Sequence, residues 1–222
     1  MIRLYNSPAT TAMAAHSVLE EIGCDYENLW IDINLPLQQR DAEFQKLSPH
    51  GQLPILVDSD GSVIFEGAAI VMHLVERFPE ARLGPAAGES GRGDFLKWMT
   101  YMANTLQIAM QIYFMPYKFT RSEDGHADIS AKGVERLEKS WRFIDAACAA
   151  PGPYLLGETF SACDLYLQML SRWHRDPEAM RERHPHLGRC VRLVEQRPSV
   201  QRILQYHGPD WTTHHPGSPG PP

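Results

Sequence analysis

The sequence predicts an α/β layer followed by an all-helical bundle, and three observations support this fold class. Strand-like and helix-like patterns alternate over the first 78 residues, and a stretch rich in Pro, Gly and Ala follows at residues 79–91. Beyond it, apolar side chains recur at helical spacing and no convincing strand is found. We therefore expect an α/β domain at 1–78, a linker at 79–89 and a helical domain at 90–207.

The first half of the α/β layer reads as strand, helix and strand. A short apolar strand at residues 2–5 ends at a polar turn that contains proline. Residues 11–22 carry apolar side chains at helical spacing and stop at Gly23, which is a favoured helix C-terminus. Residues 26–33 then alternate apolar and polar side chains, which is typical of a half-buried strand.

The second half of the layer adds a hairpin and another helix. A short helix is predicted at residues 41–47, before a proline. Two apolar runs at 53–57 and 62–65 flank a turn with Asp and Gly and predict a hairpin, and residues 67–78 are helical again. The order β-α-β-α-β-β-α predicts a mixed sheet, because a hairpin adds antiparallel strands to a crossover unit.

The remaining chain is predicted to be helical up to a terminal tail. Three long helices and two shorter ones follow from the apolar periodicity. They fall at residues 94–117, 129–150, 161–172, 187–196 and 199–206. The tail at 208–222 contains eight Gly or Pro in 15 positions, and this composition predicts disorder.

Charge and hydropathy exclude several classes of function. The 222 residues include 21 Lys and Arg against 27 Asp and Glu, so the formal net charge is −6 at pH 7. A chain with this negative charge lacks the basic surface that would bind nucleic acids or anionic membranes. We therefore expect neither partner. No segment approaches the roughly 18 consecutive apolar residues of a membrane span. No apolar leader follows Met1 either, so we expect an unexported, cytoplasmic protein.

The cysteines and histidines predict neither a disulfide framework nor a metal centre. The chain has four cysteines and none belongs to a CxxC pair. They are Cys24, Cys148, Cys163 and Cys190. Isolated cysteines suit a reducing compartment. The histidine pairs at 184–186 and 214–215 lack the HExxH spacing, so we expect no metal site.

Three segments at junctions between strands and helices carry candidate chemistry. Residues 51–54 (GQLP) lead into a strand, and taken alone Pro54 reads as an ordinary trans turn proline. Glu66 and Gly67 precede a helix whose N–H groups and dipole would hold a carboxylate, although Glu66 acting as a simple dipole cap is the more economical interpretation. The hydroxyl-rich turn at residues 6–11 could cap the first helix or bind an anion there.

A fourth segment has a structural role. Residues 157–164 (GETFSACD) place Ser161 three positions before Asp164, which is the spacing of a capping box. Such a cap stabilises a helix by roughly 0.5–2 kcal/mol. We expect it to start the helix at 161–172 and to take no part in catalysis.

Taken together, these segments resemble the cytosolic glutathione S-transferase family over residues 1–206. Residues 8–16 (PATTAMAAH) align without gaps with the first loop and helix of the bacterial beta class. Residues 51–54 match its G-Q-V-P segment, residues 66–70 match E-G-x-A-I, and residues 157–164 match G-x-x-(F/L)-(S/T)-x-A-D. The resemblance implies a thioredoxin-like N-terminal domain and an all-helical second domain.

The resemblance also implies glutathione as co-substrate. Its binding residues would be Gln52, Leu53, Pro54, Glu66 and Gly67. Pro54 would be cis and would present the Leu53 backbone to the cysteinyl amide, while Glu66 and the Gly67 N–H would hold the γ-glutamyl end, with Gln52 beside them. Gly67 stands where many relatives have serine, so one hydroxyl is missing there.

The active-site position departs from the beta class, which carries a cysteine where this chain has Thr11. A threonine cannot form a mixed disulfide with glutathione. Its hydroxyl could instead donate to the glutathione thiolate, whose pKa is about 8.5 in the free thiol, and the helix N-terminus would favour the same ionisation. Thr10, Ser7 and Asn6 are competing donors close by in the sequence.

An electrophile pocket is expected between the two domains, along the helix at 94–117. Candidate lining residues share polar or aromatic character on this helix: Asn104, Gln107, Gln111, Tyr113 and Tyr117. Gln107 stands where the beta class often has a histidine. The methionines of the same helix are interpreted as core.

The expected activity is conjugation of glutathione to a small hydrophobic electrophile, as in detoxification, by a homodimer of the kind the family usually forms. Other activities on the same fold stay open: a glutathione-dependent disulfide reductase, an isomerase or a dehalogenase. A non-catalytic binding protein of the same fold is the alternative from a different class.

Overall fold

The computed structural model describes residues 1–149 and 151–207, so the predicted tail at 208–222 lies outside the described residues. The N-terminal part of the chain forms a four-stranded mixed sheet. The strands are β1 (Ile2–Asn6), β2 (Tyr26–Trp30), β3 (Ile55–Val57) and β4 (Val63–Phe65), in the spatial order β2-β1-β3-β4. β1 runs parallel to β2 and antiparallel to β3, and β4 closes the hairpin with β3. The predicted mixed sheet is confirmed.

The two faces of the sheet contribute side chains to two separate hydrophobic cores, because successive residues of a strand point to opposite faces. Leu4 and Leu56 face the helices α1 (Ala12–Ile22) and α3 (Gly67–Arg77) and join the larger core. Their neighbours Tyr5 and Ile55 face the other way and pack with Phe44 of the short helix α2 (Ala42–Leu47).

The predicted strand and helix boundaries shift slightly. The strand expected at 26–33 ends at Trp30, and α1 begins at Ala12 and stops at Gly23, whose φ of +71° is left-handed as predicted for a C-terminal glycine. Short 3-10 turns lie in the connections at Leu37–Gln39, Pro79–Ala81, Pro116–Lys118 and Glu123–Gly125.

The helix predicted at 94–117 is corrected in two ways. It begins as α4 (Arg92–Tyr101), passes through a π-helical segment (Met102–Leu106) and continues as α5 (Gln107–Phe114). It ends before Pro116, because proline lacks an amide hydrogen and disfavours helical backbone in the residue before it. Tyr117 therefore lies beyond the helix.

The remaining helices are α6 (His126–Ala147), α7 (Ala162–Arg172), α8 (Pro177–Arg183), α9 (Pro185–Glu195) and α10 (Pro198–His207). The predicted capping box is present at the start of α7, with Ser161 and Asp164 bonding each other's backbone N–H. The sequence analysis missed α8. It has seven residues and starts at an Asp176 cap and a proline, which are local signals without room for apolar periodicity.

One hydrophobic core joins the sheet to the helical part. It includes Leu4 and Val18 from the α/β layer together with Phe95 and Leu167 from α4 and α7, each with no exposed surface. The last described helix, α10, packs on α1, where His16 Nδ1 and His207 Nε2 lie 3.0 Å apart. Because the sheet and the helices share this core, the predicted domain boundaries at residues 78 and 90 stay a prediction.

Candidate functional site

The turn before α1 and the segment before β3 lie side by side, because β1 and β3 pair with Tyr5 opposite Ile55. The Thr11 hydroxyl donates to the backbone oxygen of Leu53 at 3.1 Å. The peptide bond between Leu53 and Pro54 is cis, as the family resemblance implies. The backbone of Leu53 is thus fixed next to the N-terminus of α1.

The N-terminus of α3 reaches the same place. An added Cβ at Gly67 would lie 3.5 Å from the Thr11 backbone oxygen and 3.6 Å from the Thr11 Cβ. Neither α1 nor α3 carries an acidic residue in its first turn, so the positive ends of both helix dipoles are left available to an anion. Glu66, just before α3, is exposed and has a backbone φ of +69°. Residues other than glycine rarely adopt this backbone conformation, and those that do cluster at functional sites.

Tyr166 of α7 completes this junction, and the sequence analysis missed it. Its hydroxyl lies 3.7 Å from the position of an added Cβ at Gly67 and donates to Gln107 Oε1 at 2.9 Å. Burial and the charge of Glu66 raise the pKa of Tyr166, so the phenol stays protonated. The one feature of the sequence that could have indicated Tyr166 is a tyrosine between two leucines, two positions after the capping Asp164.

The Thr10 hydroxyl is bonded within the turn itself, whereas Ser7 borders a separate pocket. The Thr10 hydroxyl donates to the Ser7 backbone oxygen at 2.8 Å and lies 3.4 Å from the Ala12 amide. Ser7 is buried and lines a separate pocket of about 350 Å³ against residues 30–34. The Thr10 hydroxyl therefore closes the turn by its bond to the Ser7 backbone oxygen.

Asn6 is not brought to this junction. Its side chain has no exposed surface; its amide nitrogen donates to Asn28 Oδ1 at 3.0 Å and lies 3.3 Å from His16 Nδ1. The alternation of β1 explains this, since Asn6 continues the face of Leu4, which is turned toward α1. Asn6 serves the interior beneath α1, and we do not retain it as a thiolate donor.

Side chains from the preceding loop and from the end of α2 hydrogen-bond the backbone of the segment before Leu53. Arg40 donates to the backbone oxygens of Gly51 and Ile33, both at 2.8 Å, and Ser48 donates to the Gln52 backbone oxygen at 2.9 Å. The Gln52 side chain is exposed. Of the predicted binding residues, Gln52 and Glu66 are exposed and Leu53 is half-buried, whereas Pro54 and Gly67 are buried.

Three of the five predicted pocket residues lie on α5. Gln107 faces Tyr166, and Gln111 follows one turn later, half-buried. Tyr113 stacks against the guanidinium of Arg175, 4.5 Å from the ring centre. These three residues lie on α5, which begins at the junction.

Two predicted pocket residues lie elsewhere. Asn104 is exposed and lines an open groove of about 510 Å³ along the outer side of α4 with Leu96 and Tyr101. Tyr117 is 60% exposed in the turn after α5. Asn104 lies within the π-helical segment and Tyr117 lies beyond the end of α5, so neither continues the regular helix that the sequence predicted.

Cysteine chemistry is not offered at this junction. Cys24 lies just beyond the opposite end of α1, and Cys148, Cys163 and Cys190 are buried. Burial raises the pKa of the Cys24 and Cys163 thiols, which keeps them protonated. Within residues 1–149 and 151–207, no cluster of three His, Cys, Asp or Glu could hold a metal ion, and no helix is apolar and long enough to cross a membrane.

Comparison with known proteins places this geometry in context. Residues 1–76 match the family model for the N-terminal domain of glutathione S-transferases. Glutathione S-transferase GstA of Escherichia coli O157:H7 is 25% identical over 207 residues, covering 93% of this chain and 99% of that protein. A dichloromethane dehalogenase of Methylophilus leisingeri is 27% identical over 169 residues, covering 74% of this chain and 62% of its own length.

The fold has close counterparts among solved structures. A sphingomonad glutathione S-transferase complexed with glutathione superposes with a TM-score of 0.79 at 25% identity, covering 93% of this chain and 99% of the other. The likeness extends over both the sheet and the helical part. It bears out the predicted combination of a thioredoxin-like layer and a helical remainder.

Proposed function

We propose that this chain, a relative of the cytosolic glutathione S-transferases, transfers the thiolate of glutathione to small hydrophobic electrophiles. The observation that carries the proposal is the meeting of the α1 and α3 N-termini beside the fixed backbone of Leu53. Glutathione is the co-substrate that suits this junction, because it brings a γ-glutamyl carboxylate, a peptide backbone and a thiol.

Each part of glutathione has a matching group. The backbone of Leu53 offers N–H and C=O to the cysteinyl residue in the manner of a neighbouring strand. The N–H groups of α3 suit the γ-glutamyl carboxylate, and the carboxylate of Glu66 suits its ammonium. Gln52, whose side chain is exposed beside Leu53, supplies further hydrogen bonds.

The thiol would lie at the N-terminus of α1. Backbone N–H groups and the helix dipole lower the pKa of a thiol there, and each unit is worth about 1.4 kcal/mol in favour of the thiolate. The Thr11 hydroxyl is next to this position and donates to the Leu53 oxygen. When the cysteinyl amide occupies that oxygen, the Thr11 hydroxyl is free to turn toward the sulfur.

The electrophile would enter beside α5, past Gln107, Gln111 and Tyr113. The protein contributes position and a stabilised thiolate, and the nucleophile is the sulfur of glutathione. Dehalogenation is a second candidate, favoured by the similarity to a protein named dichloromethane dehalogenase. Its first step would be the same attack, with a halide as leaving group.

A homodimer is part of the proposal. Strand β4 is an edge of the sheet and exposes Val63 and Phe65, while α4 exposes Leu96 beside its open groove. Exposed apolar edges invite pairing with another chain. A second copy is the partner that would cover them.

Parallel assays test the proposed function. The full chain would be given glutathione with a chloronitrobenzene, with a glutathionyl disulfide and with dichloromethane, and glutathione binding would be followed by calorimetry. We expect millimolar or tighter binding and highest turnover with the chloronitrobenzene. Turnover of only the disulfide or the dihalide would replace the transferase with a reductase or dehalogenase, and absence of binding at millimolar glutathione would favour a binding protein.

A matched pair of variants ties the activity to the site. Glu66→Gln removes the charge that suits the γ-glutamyl ammonium and should raise the Kd for glutathione roughly tenfold, in line with about 1.4 kcal/mol for a charge-assisted hydrogen bond. Glu80→Gln changes an exposed glutamate in the turn after α3 and should leave the Kd unchanged. Equal Kd values for the two variants would contradict this placement of glutathione.

A further inference from the structure

Arg40 lies in the loop between β2 and α2, and its side chain hydrogen-bonds the segment that precedes Pro54. We propose that Arg40 is a positioning residue for glutathione: it holds the backbone of residues 51–53 in the conformation that binds the cysteinyl residue. The inference rests on the proposed function and adds to it the side chain that keeps the binding segment in place.

The segment at 51–53 lies outside the strands, so the sheet does not pair its backbone oxygens. Each of the three oxygens instead accepts a hydrogen bond from a side chain. The pairs are Arg40 to Gly51 at 2.8 Å, Ser48 to Gln52 at 2.9 Å and Thr11 to Leu53 at 3.1 Å. The conformation of this segment therefore depends on side chains from three other places in the chain.

Arg40 has the widest reach of these three donors. Its guanidinium also donates to the backbone oxygens of Ile33 and Leu35, at 2.8 and 2.9 Å. One side chain thus joins the loop after β2 to the segment that leads into β3. Arginine suits this role, because its planar guanidinium carries its N–H donors in a fixed arrangement.

The charge of Arg40 is not used for an ion pair. Within the part of the chain that the structure describes, no aspartate or glutamate pairs with it. The adjacent carboxylate of Asp41 caps α2 instead, accepting from the Phe44 N–H at 2.8 Å. The contribution of Arg40 to the structure therefore consists of its hydrogen bonds to backbone oxygens.

Both ends of the contact are prepared for it. The backbone oxygen of Arg40 accepts from Gln45 Nε2 at 2.8 Å, and α2 begins two residues later with Phe44 fully buried in the smaller core. Gly51 has a φ of +67°, and a Cβ added there would lie 3.2 Å from Leu37 Cδ1 and 3.4 Å from Arg40 Nη1. Because Gly51 has no side chain, the guanidinium can approach its backbone closely.

A binding segment that is held in advance gives tighter binding than one that must be ordered by the ligand. If the loss of Arg40 leaves only about a tenth of the molecules with the segment in place, the Kd for glutathione rises about tenfold. At saturating glutathione every bound molecule has the segment in place, so kcat and the pKa of the bound thiol stay unchanged. This split between Kd and kcat distinguishes positioning from a contribution to the chemical step.

The test compares variants of the full chain by calorimetric titration with glutathione and by steady-state kinetics with the chloronitrobenzene. Arg40→Met removes every donor, whereas Arg40→Lys keeps the charge and replaces the guanidinium by a single nitrogen. We expect the Kd to rise about tenfold in Arg40→Met and at least about fivefold in Arg40→Lys, with kcat at saturating glutathione within about twofold. Arg189→Met is the matched control and should leave the Kd unchanged, because Arg189 also donates to a glycine oxygen, that of Gly152 at 3.0 Å, in the helical part.

The outcomes separate the two hypotheses. If the unmodified chain binds no glutathione at millimolar concentration, the proposed function and the inference both fail. If it binds glutathione and Arg40→Met has the same Kd as Arg189→Met, the inference alone is overturned.

Two further results would also overturn the inference. An unchanged Kd in Arg40→Lys would mean that charge and not the hydrogen bonds sets the affinity, and a loss of kcat at saturating glutathione would mean that Arg40 acts on the chemical step. Arg40→Lys is the milder change and decides the question by itself if Arg40→Met does not fold.

Discussion

Thr11 and Leu53, 42 positions apart in the chain, are joined by a hydrogen bond of 3.1 Å from the hydroxyl of one to the backbone oxygen of the other. The bond connects the N-terminus of α1 with the segment that leads into β3. It places the one hydroxyl that replaces the beta-class cysteine in contact with the backbone that we propose pairs with glutathione.

Replacing Thr11 tests whether its hydroxyl matters. Thr11→Ser keeps the hydroxyl, whereas Thr11→Val keeps the shape and removes it. We expect kcat/KM for the chloronitrobenzene reaction to fall about tenfold in Thr11→Val, the loss of one hydrogen bond of roughly 1.4 kcal/mol, and to stay within about twofold in Thr11→Ser. Steady-state kinetics of the two variants side by side measure this, and equal rates would show that the hydroxyl is dispensable.

Gly67→Ser should strengthen glutathione binding. The contacts of an added Cβ are 3.5–3.7 Å, which is ordinary van der Waals distance, and the serine hydroxyl adds a hydrogen-bond donor at the N-terminus of α3. We expect the Kd for glutathione to fall about threefold to tenfold, as one added hydrogen bond of about 1 kcal/mol would give. Gly67→Ala is the control for the Cβ alone in the same calorimetric titration, and a gain that is as large with alanine would mean that the hydroxyl contributes nothing.

Gly133→Ala should weaken the packing of α5 on α6. Its Cβ would lie 2.6 Å from the Tyr113 backbone nitrogen, so the helices would have to move apart. We expect a loss of roughly 1–3 kcal/mol in the free energy of unfolding, as for other overpacked sites. Gly93→Ala on α4 meets nothing within 4 Å and should instead be neutral or stabilising, by up to about 1 kcal/mol. Denaturant unfolding measures both variants, and equal unfolding free energies for Gly133→Ala and Gly93→Ala would contradict the close approach of α5 and α6 at Gly133.

Stability should fall in mild acid because of His16. Burial lowers the pKa of His16 to about 4, whereas an unfolded histidine titrates near 6.5. Between these values the unfolded chain binds the proton and the folded chain does not, so the contribution is complete above about pH 6.5 and is lost as the pH falls toward 4.

The variant His16→Gln isolates this effect. From pH 7 to 4.5 it should lose less unfolding free energy than the unmodified chain, by roughly 2–3 kcal/mol. Burial also raises the pKa of Asp164 to about 6, which has the opposite sign, since its stabilisation is present at low pH and lost as the pH rises through 6. Asp164 is common to both proteins, so parallel pH slopes in urea unfolding would contradict the assignment to His16.

Phe65→Lys should disrupt the proposed dimer. Phe65 is 65% exposed on the edge strand β4, and a charge there opposes pairing with a second copy. We expect sedimentation equilibrium to give twice the chain mass for the unmodified protein and a lower average mass for the variant. Phe119→Lys, at a 47% exposed phenylalanine in the loop after α5, is the control. A monomeric unmodified chain would remove the dimer from the proposal.

Local patterns predicted the sheet, its hairpin and the longer helices, because periodicity and turn residues act over a few positions. The family resemblance added the cis peptide before Pro54, which the structure has, and the hypothesis that Glu66 and Gly67 bind glutathione. Two features could not be predicted from the sequence. One is the sheet face to which the Asn6 side chain points, because a shift of the strand by one residue would reverse it. The other is the contact between Tyr166 and Gln107. These two residues are 59 positions apart, and only the packing of α7 beside α5 brings them together.

The core that joins the sheet to the helices has a consequence for protein engineering. The sides of α1 and α3 that face away from the sheet are covered by the helical part, so a fragment that stops at residue 78 would leave them in water. Exchanging N-terminal halves between relatives would likewise require the contacts around Val18 and Leu167 to be redesigned together. The two halves of this chain are distinct in sequence pattern, but they are not interchangeable building blocks.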